Sequence, residues 1–376
     1  MKVAIVSGAG IVSGKEVMVL ELAEGLRDAG IEVHLITSRW GSGEFAKRAQ
    51  AADLYLHRLW LGFISATLSV DSLRMNLDQL WHWPSLLLNY RRFLKDVAPT
   101  NVVHTNWHHA LLLWPFLDAK RDIYWLHETV PDKPHYGRLF RRLSHRVRCF
   151  VAVSEAVARS LSKLGVPESE IRVIHNGISD PAGNLSAETS HSVPRIGIVG
   201  QVGSWKGHED LLAAFQVVLT QFPAELHIFG KGSNDYEELL RNRATALEVD
   251  GSVVWHGFVK NSAEIYSEMD ILVAPSRFEE PFGLTAVEAA FFGVPVVASR
   301  RGGLTEVVKD NMTGLLFEAG NVSELADRLL TLLKDPDLQS RIGQNARVRA
   351  RNYFNRDRFV RDFCTLFRKR DNGDCP

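Results

Sequence analysis

The chain has 376 residues, with 44 Lys+Arg against 44 Asp+Glu, 45% hydrophobic and 23% charged residues. That length suggests two globular domains, and the composition excludes a disordered or low-complexity chain. The zero net charge argues against a general nucleic-acid binder, although it averages unlike halves: residues 1–180 hold 22 basic and 18 acidic side chains, residues 181–376 hold 22 and 26.

The chain opens on a short apolar strand, Lys2–Ser7, then a glycine-bearing loop from Gly8 to Gly14. A helix over Glu16–Ala29, stopped by Gly30, and a strand over Ile31–Thr37 follow. This strand–turn–helix–strand order begins a parallel α/β layer. The loop nearly matches a dinucleotide fingerprint. Ser13 stands at the third glycine, however, and Thr37–Ser38 stand where an acidic residue would end the second strand. A plain tight turn is therefore expected rather than NAD binding.

Residues 55–93 are rich in aromatics: Trp60, Phe63, Trp81, Trp83, Tyr90 and Phe93, with Trp107 and Trp114 after them. Core packing is the expected role, stacking on a sugar the alternative. A helix is expected over Leu80–Leu94, and strands over Asn101–His104, Ile123–His127 and Phe150–Val153. Between His135 and Phe150 stand Arg138, Arg141, Arg142, Arg146 and Arg148 with no acidic residue, interleaved with Leu139, Phe140, Leu143 and Val147. A basic amphipathic helix of this kind can rest on anionic lipid, or pack on the core as a solvated face.

The small, polar, proline-bounded stretch 181–194 reads as a linker. After it the opening plan repeats: strand Arg195–Val199, loop Gly200–Gly207, helix from His208. Strands over Glu225–Phe229, Val253–His256, Ile271–Ala274 and Val294–Ala298 follow, with helices between them. Two Rossmann-like halves joined by a linker is the simplest architecture. Ligands in such sheets sit at the carboxyl ends of the strands. A C-terminal helix over Arg356–Arg370 has Phe359, Phe363, Leu366 and Phe367 on one face.

The segment 274–308 carries the chemistry. A buried strand ends at Pro275, a polar loop runs to Pro281, and a helix starts near Gly283. The first amides of that helix, around Phe282, Gly283 and Leu284, have no intrahelical acceptors and can bind an anion. Glu280 stands just before the helix and Glu288 within it, seven residues between them. Carboxylates suit sugar or ribose hydroxyls. A lone helical glutamate is usually solvated, but Glu288 precedes Ala289, Ala290, Phe291 and Phe292 and needs a partner.

This segment resembles the donor site of retaining glycosyltransferases of family 4, with the GT-B fold. The family's Glu-x7-Glu signature stands as Glu280-Pro281-Phe282-Gly283-Leu284-Thr285-Ala286-Val287-Glu288, and a Gly-Gly-x-x-Glu element as Gly302 to Glu306. VAVSEAV at 151–157, IHNGI at 174–178, GFV at 257–259 and DNMTGLLF at 310–317 fall in the family's places. The resemblance implies two Rossmann-like parallel-sheet domains facing a deep cleft: residues 1–180 for the acceptor, residues 181–355 for the donor. Residues 356–376 would pack back on the first domain, with hinges near 178–194 and 352–355.

The resemblance also implies roles. Lys206 would bind the nucleotide diphosphate, Glu288 the ribose and Glu280 the donor sugar, with the Phe282–Leu284 amides near sugar and phosphate. His127 would face the transferred sugar; as a lone histidine at a strand end it would otherwise be structural. Gly14 would approach the phosphates. Gln201 stands where the family usually has Arg, and Ser13 where it has Gly. Arg277 and Lys231 are read as surface cations, with compensation for that Arg the alternative. The expected activity is transfer of a hexose-type sugar from a UDP- or GDP-sugar to an acceptor hydroxyl, in cell-surface polysaccharide or glycolipid synthesis. It would proceed with retention, without a metal and without a cofactor. A non-catalytic nucleotide-sugar-binding subunit and a GT-B sugar-nucleotide epimerase are the alternatives. The partners are the nucleotide sugar and a saccharide or lipid-linked acceptor, with peripheral contact to an anionic membrane and no nucleic acid. Cys149, Cys364 and Cys375 show no paired spacing, and no leader or spanning segment is read, so a cytoplasmic protein is expected.

Overall fold

The computed structural model describes residues 1–8, 12–40, 43–62, 70–183 and 191–368. Phe63, Cys375, part of the first glycine loop and most of the linker lie outside them. The chain divides into two units: Met1–Ile178 with Arg356–Pro376, and Ser179–Asn355.

The first unit is a seven-stranded sheet in the order β3-β2-β1-β4-β5-β6-β7. Its strands are β1 (Lys2–Val6), β2 (Glu32–Ser38), β3 (Tyr55–Leu59), β4 (Asn101–His104), β5 (Asp122–Leu126), β6 (Cys149–Ala152) and β7 (Ile171–Val173). All neighbours pair parallel, with Val3 opposite both Val33 and Asn101. Helices α1 (Gly14–Asp28), α2 (Glu44–Ala51), α3 (Val70–Val97), α4 (Trp107–Leu112), α5 (Pro134–Ser144) and α6 (Glu155–Lys163) connect them. The inner strands are buried over nearly their whole length, which is why they read as apolar runs without alternation.

The second unit repeats the plan in six strands, ordered β10-β9-β8-β11-β12-β13 and again all parallel. They are β8 (Arg195–Val199), β9 (Glu225–Phe229), β10 (Val253–Gly257), β11 (Ile271–Ala274), β12 (Val296–Ser299) and β13 (Gly314–Phe317). Between them lie α7 (His208–Leu219), α8 (Asn234–Ala246), α9 (Ser262–Tyr266), α10 (Leu284–Phe292) and α11 (Leu304–Val307). After β13 come α12 (Val322–Leu333) and α13 (Pro336–Tyr353). One buried cluster, including Ile198, Leu212, Phe215, Ile228 and Leu329, fills one side of this sheet.

The final helix, α14 (Arg356–Arg368), belongs to the first unit. Phe359 and Phe363 are buried and pack against Trp125 of β5, with ring centroids 5.7 and 5.1 Å apart. Val360 lies against Gly25 of α1, where an added Cβ would fall 2.3 Å from its Cγ2. In each sheet the strand order reverses at the first strand, between β1 and β4 and between β8 and β11. Those reversals are where open α/β sheets present a crevice.

Candidate functional site

At the reversal of the second sheet, the loop after β8 rises from Gly200 and returns through a single 3₁₀ turn over Ser204–Lys206. Gly200 donates to the Phe229 carbonyl at 2.9 Å, and Val202 to the Lys231 carbonyl at 3.1 Å, so the loop rests on the end of β9. Gly207 closes it with φ +76°, and any Cβ there would stand 2.0 Å from the Pro275 carbonyl oxygen. Two loops are thus packed backbone to backbone, which only glycine permits.

That contact sets Lys206 beside the loop after β11. Its Nζ lies 2.8 Å from Glu280 Oε2, and the Ser276 hydroxyl donates to the same oxygen at 2.9 Å. Glu280 is fixed through its backbone as well: its carbonyl accepts from the Gly303 amide at 2.7 Å. Gly302, at φ +52°, passes so close that a Cβ would meet that carbonyl oxygen at 2.2 Å. The two residues drawn from separate sequence signals therefore form one ion pair.

Glu288, on α10, is held apart from that pair. The Tyr266 phenol of α9 donates to Glu288 Oε2 at 2.9 Å. Tyr266 is fully buried, and burial followed by the Glu288 charge pushes its pKa well above the ordinary phenol value. The buried Gly283 caps α10 at φ +96°, with Phe282 buried before it and Leu284 half-buried after it. The Ala286 and Val287 amides donate to the Gly283 carbonyl at 3.0 and 3.2 Å, and the start of α10 carries the partial positive charge of a helix N-terminus.

Gln201 is exposed. Arg277, expected as a surface cation, is exposed and is also paired with Asp210 of α7: Nε donates to Oδ2 at 2.8 Å and Nη2 to Oδ1 at 2.7 Å. Its own amide also donates to the Trp205 carbonyl at 2.9 Å. That amide bond ties the Lys206 loop to the Ser276–Glu280 loop, and the bidentate pair ties the second loop to α7. Nothing in the local sequence signalled the bidentate pair, because its partners lie 67 residues apart. His208, beside it on α7, is 2% exposed and donates to the Gly203 carbonyl; burial lowers its pKa to about 4. Its Nδ1 is buried without a hydrogen-bond partner among the described residues.

The first unit brings a second group together at the ends of β1, β4 and β5. Gly14 is exposed and opens α1. Ser13 and Glu16 form a reciprocal cap there, the Ser13 amide donating to Glu16 Oε2 at 3.0 Å. His127 follows β5 with its ring centroid 4.1 Å from that of Trp125. Burial first, then the Lys15 charge, push its pKa well below the ordinary value. Its Nε2 is buried with no partner among the described residues. The buried His109 ring lies against Gly8, where a Cβ would stand 2.3 Å from Nε2.

Among the described residues, no three His, Cys, Asp or Glu gather as metal ligands, and no helix is long and apolar enough to cross a membrane.

Comparison with known proteins agrees across the chain. Residues 12–180 match the family described as Glycosyltransferase Family 4, and residues 187–349 match Glycosyl transferases group 1. The chain is 24% identical to N-acetyl-alpha-D-glucosaminyl L-malate synthase of Bacillus anthracis, over 95% of this chain and 94% of that one. It is 26% identical to a D-inositol 3-phosphate glycosyltransferase of Pseudarthrobacter chlorophenolicus, over 92% and 88%. Its fold matches Anabaena HepE, solved in complex with UDP, at a TM-score of 0.81 with 20% identity, covering 98% of this chain and all of that one. A glycosyltransferase from Rickettsia africae matches at 0.79, with 20% identity over 99% of both chains. The two-sheet architecture is the GT-B fold.

Proposed function

We propose that this chain, which belongs to the group 1 and family 4 glycosyltransferases, moves a hexose-type sugar from a nucleotide diphosphate sugar to an acceptor hydroxyl with retention at the anomeric carbon. The observation that carries the reading is the Lys206–Glu280 pair, 2.8 Å apart beside the first turn of α10. Breaking the sugar–phosphate bond leaves a diphosphate that gains negative charge. A fixed ammonium and helix-start amides meet that charge without a metal. Glu280, already aimed by Ser276 and the Gly303 amide, is suited to accept from donor sugar hydroxyls once Lys206 turns to the phosphates. Glu288, with one oxygen taken by Tyr266, is suited to the ribose diol.

The first unit would supply the acceptor side. His127, kept neutral by burial, suits hydrogen bonding to a sugar hydroxyl rather than charge neutralisation. Because HepE was solved with UDP, UDP-sugars are the first donors to try, GDP-sugars the second. The acceptors fitting this reading are saccharides or lipid-linked saccharides of cell-surface polysaccharide or glycolipid synthesis.

The test is a panel of nucleotide sugars incubated with the purified chain, reading released nucleotide and the anomeric configuration of the product. Release from one donor, abolished in Lys206→Ala, supports the reading. Release from none, with nucleotide still bound, would favour a non-catalytic sugar-nucleotide-binding subunit. One observation favours that second reading: Gln201 supplies no cation, and Arg277 is engaged by Asp210.

A further inference from the structure

The arginine helix α5 cannot rest on a membrane by itself. Phe140 and Leu143 are buried in the core, as is Val147 just beyond the helix. Of the five arginines in this stretch, the two beyond α5 are spent internally. Arg146 donates to the Trp114 carbonyl at 3.1 Å and lies 5.8 Å over that ring. Arg148 donates to Asn101 Oδ1 at 3.1 Å and to the Leu366 carbonyl at 2.6 Å. Arg138, Arg141 and Arg142 remain exposed. They offer charge without an apolar surface.

The apolar surface is on α3. This helix buries Gln79, Leu86, Tyr90 and Phe93 along one line. The opposite line should be polar on a surface helix. Instead it carries Leu73, Leu77, Leu80, Trp81 and Leu88, exposed by 61, 57, 59, 83 and 68%. These positions share one helical stripe, and Arg91 and Lys95 continue it at its C-terminal end. Asp71 and Asp78 lie about 100° around the helix from its centre. The two helices are joined through α4. Trp83 Nε1 donates to the Leu112 carbonyl at 2.9 Å, and beyond it an open pocket of about 390 Å³ is lined by Leu111, Trp114, His135, Arg138, Leu139 and Arg142. No acidic side chain lines it.

We propose that the outward stripe of α3 and the Arg138–Arg142 pocket form one docking face for an anionic phospholipid bilayer, the stripe entering the acyl boundary while the arginines hold lipid phosphates. Charge selects this occupant. An apolar stripe ending in cations, beside a pocket of two arginines without an acid, complements an anionic interface. A second copy paired by a two-fold axis through this face would bring two such arginine sets to one interface. The inference goes beyond the transfer reaction and is read without activity.

The experiment is co-sedimentation of the full chain with phosphatidylglycerol and with phosphatidylcholine vesicles, beside Leu80→Glu/Trp81→Glu and Arg138→Glu/Arg142→Glu. All four positions are exposed or line an open pocket, and thermal unfolding confirms that each variant is folded. The wild type should pellet with phosphatidylglycerol and hardly with phosphatidylcholine, and each variant should lose about tenfold or more of that binding. Equal pelleting with both lipids, or unchanged pelleting of either variant, would overturn the proposal. So would a wild-type dimer, by light scattering, that Leu80→Glu/Trp81→Glu turns into a monomer while vesicles leave it intact. Donor turnover measured on the same variants separates this outcome from failure of the glycosyltransferase reading.

Discussion

Lys206 and Glu280 stand 74 residues apart in the chain and meet at 2.8 Å, their side chains 24% and 19% exposed. In the proposed reaction each charge holds the other until a ligand with phosphates and hydroxyls divides them. Lys206→Ala should lower kcat by about a hundredfold or more, the usual effect of removing one fixed stabiliser of transition-state charge. Glu280→Gln keeps the shape and the Ser276 contact. It should weaken turnover of the sugar donor while leaving affinity for the free nucleoside diphosphate unchanged or higher. Steady-state kinetics with isothermal titration of the nucleotide checks both. Turnover by Lys206→Ala at the wild-type rate would remove the assignment.

The Tyr266 phenol donates to Glu288 at 2.9 Å and stays a donor across ordinary pH because its pKa is pushed up. Tyr266→Phe preserves the buried ring and its 5.3 Å stacking partner Phe292. A hydrogen bond to a charged group contributes about 1.5–3 kcal/mol. The variant should therefore raise donor KM by about tenfold, with kcat nearly unchanged. It should also narrow the preference for a ribonucleotide over its 2′-deoxy analogue. Competition by the two nucleoside diphosphates measures this directly. An unaltered preference in Glu288→Gln as well would remove the ribose role.

Gly302 is the third position where geometry dictates an outcome. At φ +52°, and with the Glu280 carbonyl 2.2 Å from any Cβ, alanine there must push the Glu280 loop away. Gly302→Ala should destabilise the second unit by about 1–3 kcal/mol and cut turnover more than nucleotide affinity. Gly251, with nothing within 4 Å of its added Cβ, is the control. Thermal unfolding of the two variants tells strain from a general effect of alanine.

What the sequence disclosed and what it hid follow from range. Lys206, Glu280 and Glu288 were legible because each belongs to a short strand–loop–helix unit whose chemistry is local. Tyr266 and the Asp210–Arg277 pair were not, since their partners lie 22 and 67 residues away and no spacing announces them. The edge strands β3 and β7 escaped notice for a related reason. Tyr55–Leu59 mixes exposed and half-buried positions and has no continuous apolar run. The expected helix Leu80–Leu94 is in fact Val70–Val97, through Pro84, because its outward apolar stripe blurred the 3.6-residue pattern. Of the aromatics expected in the core, Tyr90 and Phe93 are buried, whereas Trp81 is 83% exposed.

His208 makes stability depend on pH. Its folded pKa, about 4, lies below the ordinary 6.5, so the unfolded chain binds its proton first. The contribution is fully present above about pH 6.5 and is lost as pH falls toward 4, at up to ~1.4 kcal/mol per unit. His208→Gln should flatten that part of the urea-unfolding curve against pH between 7 and 4. A variant as acid-sensitive as the wild type would contradict the assignment.

His127 is tested by the same sign at a different readout. Burial, then the Lys15 charge, lower its pKa well below 6.5, so at neutral pH the ring is uncharged and its buried Nε2 has no partner among the described residues. A neutral imidazole can donate or accept one hydrogen bond to a sugar hydroxyl, but it cannot neutralise phosphate. Turnover should therefore show no inflection between pH 6 and 8 from this group. Lys15→Met should raise its pKa, because one of the two lowering causes is gone, and bring the acid limb of the profile upward in pH. Nitrogen-15 titration of the imidazole in wild type and Lys15→Met measures the shift independently of activity. His127→Asn, which keeps a donor, should retain more kcat than His127→Phe, with nucleotide affinity the same in both. Equal kcat in the two variants would leave His127 a structural residue at the end of β5.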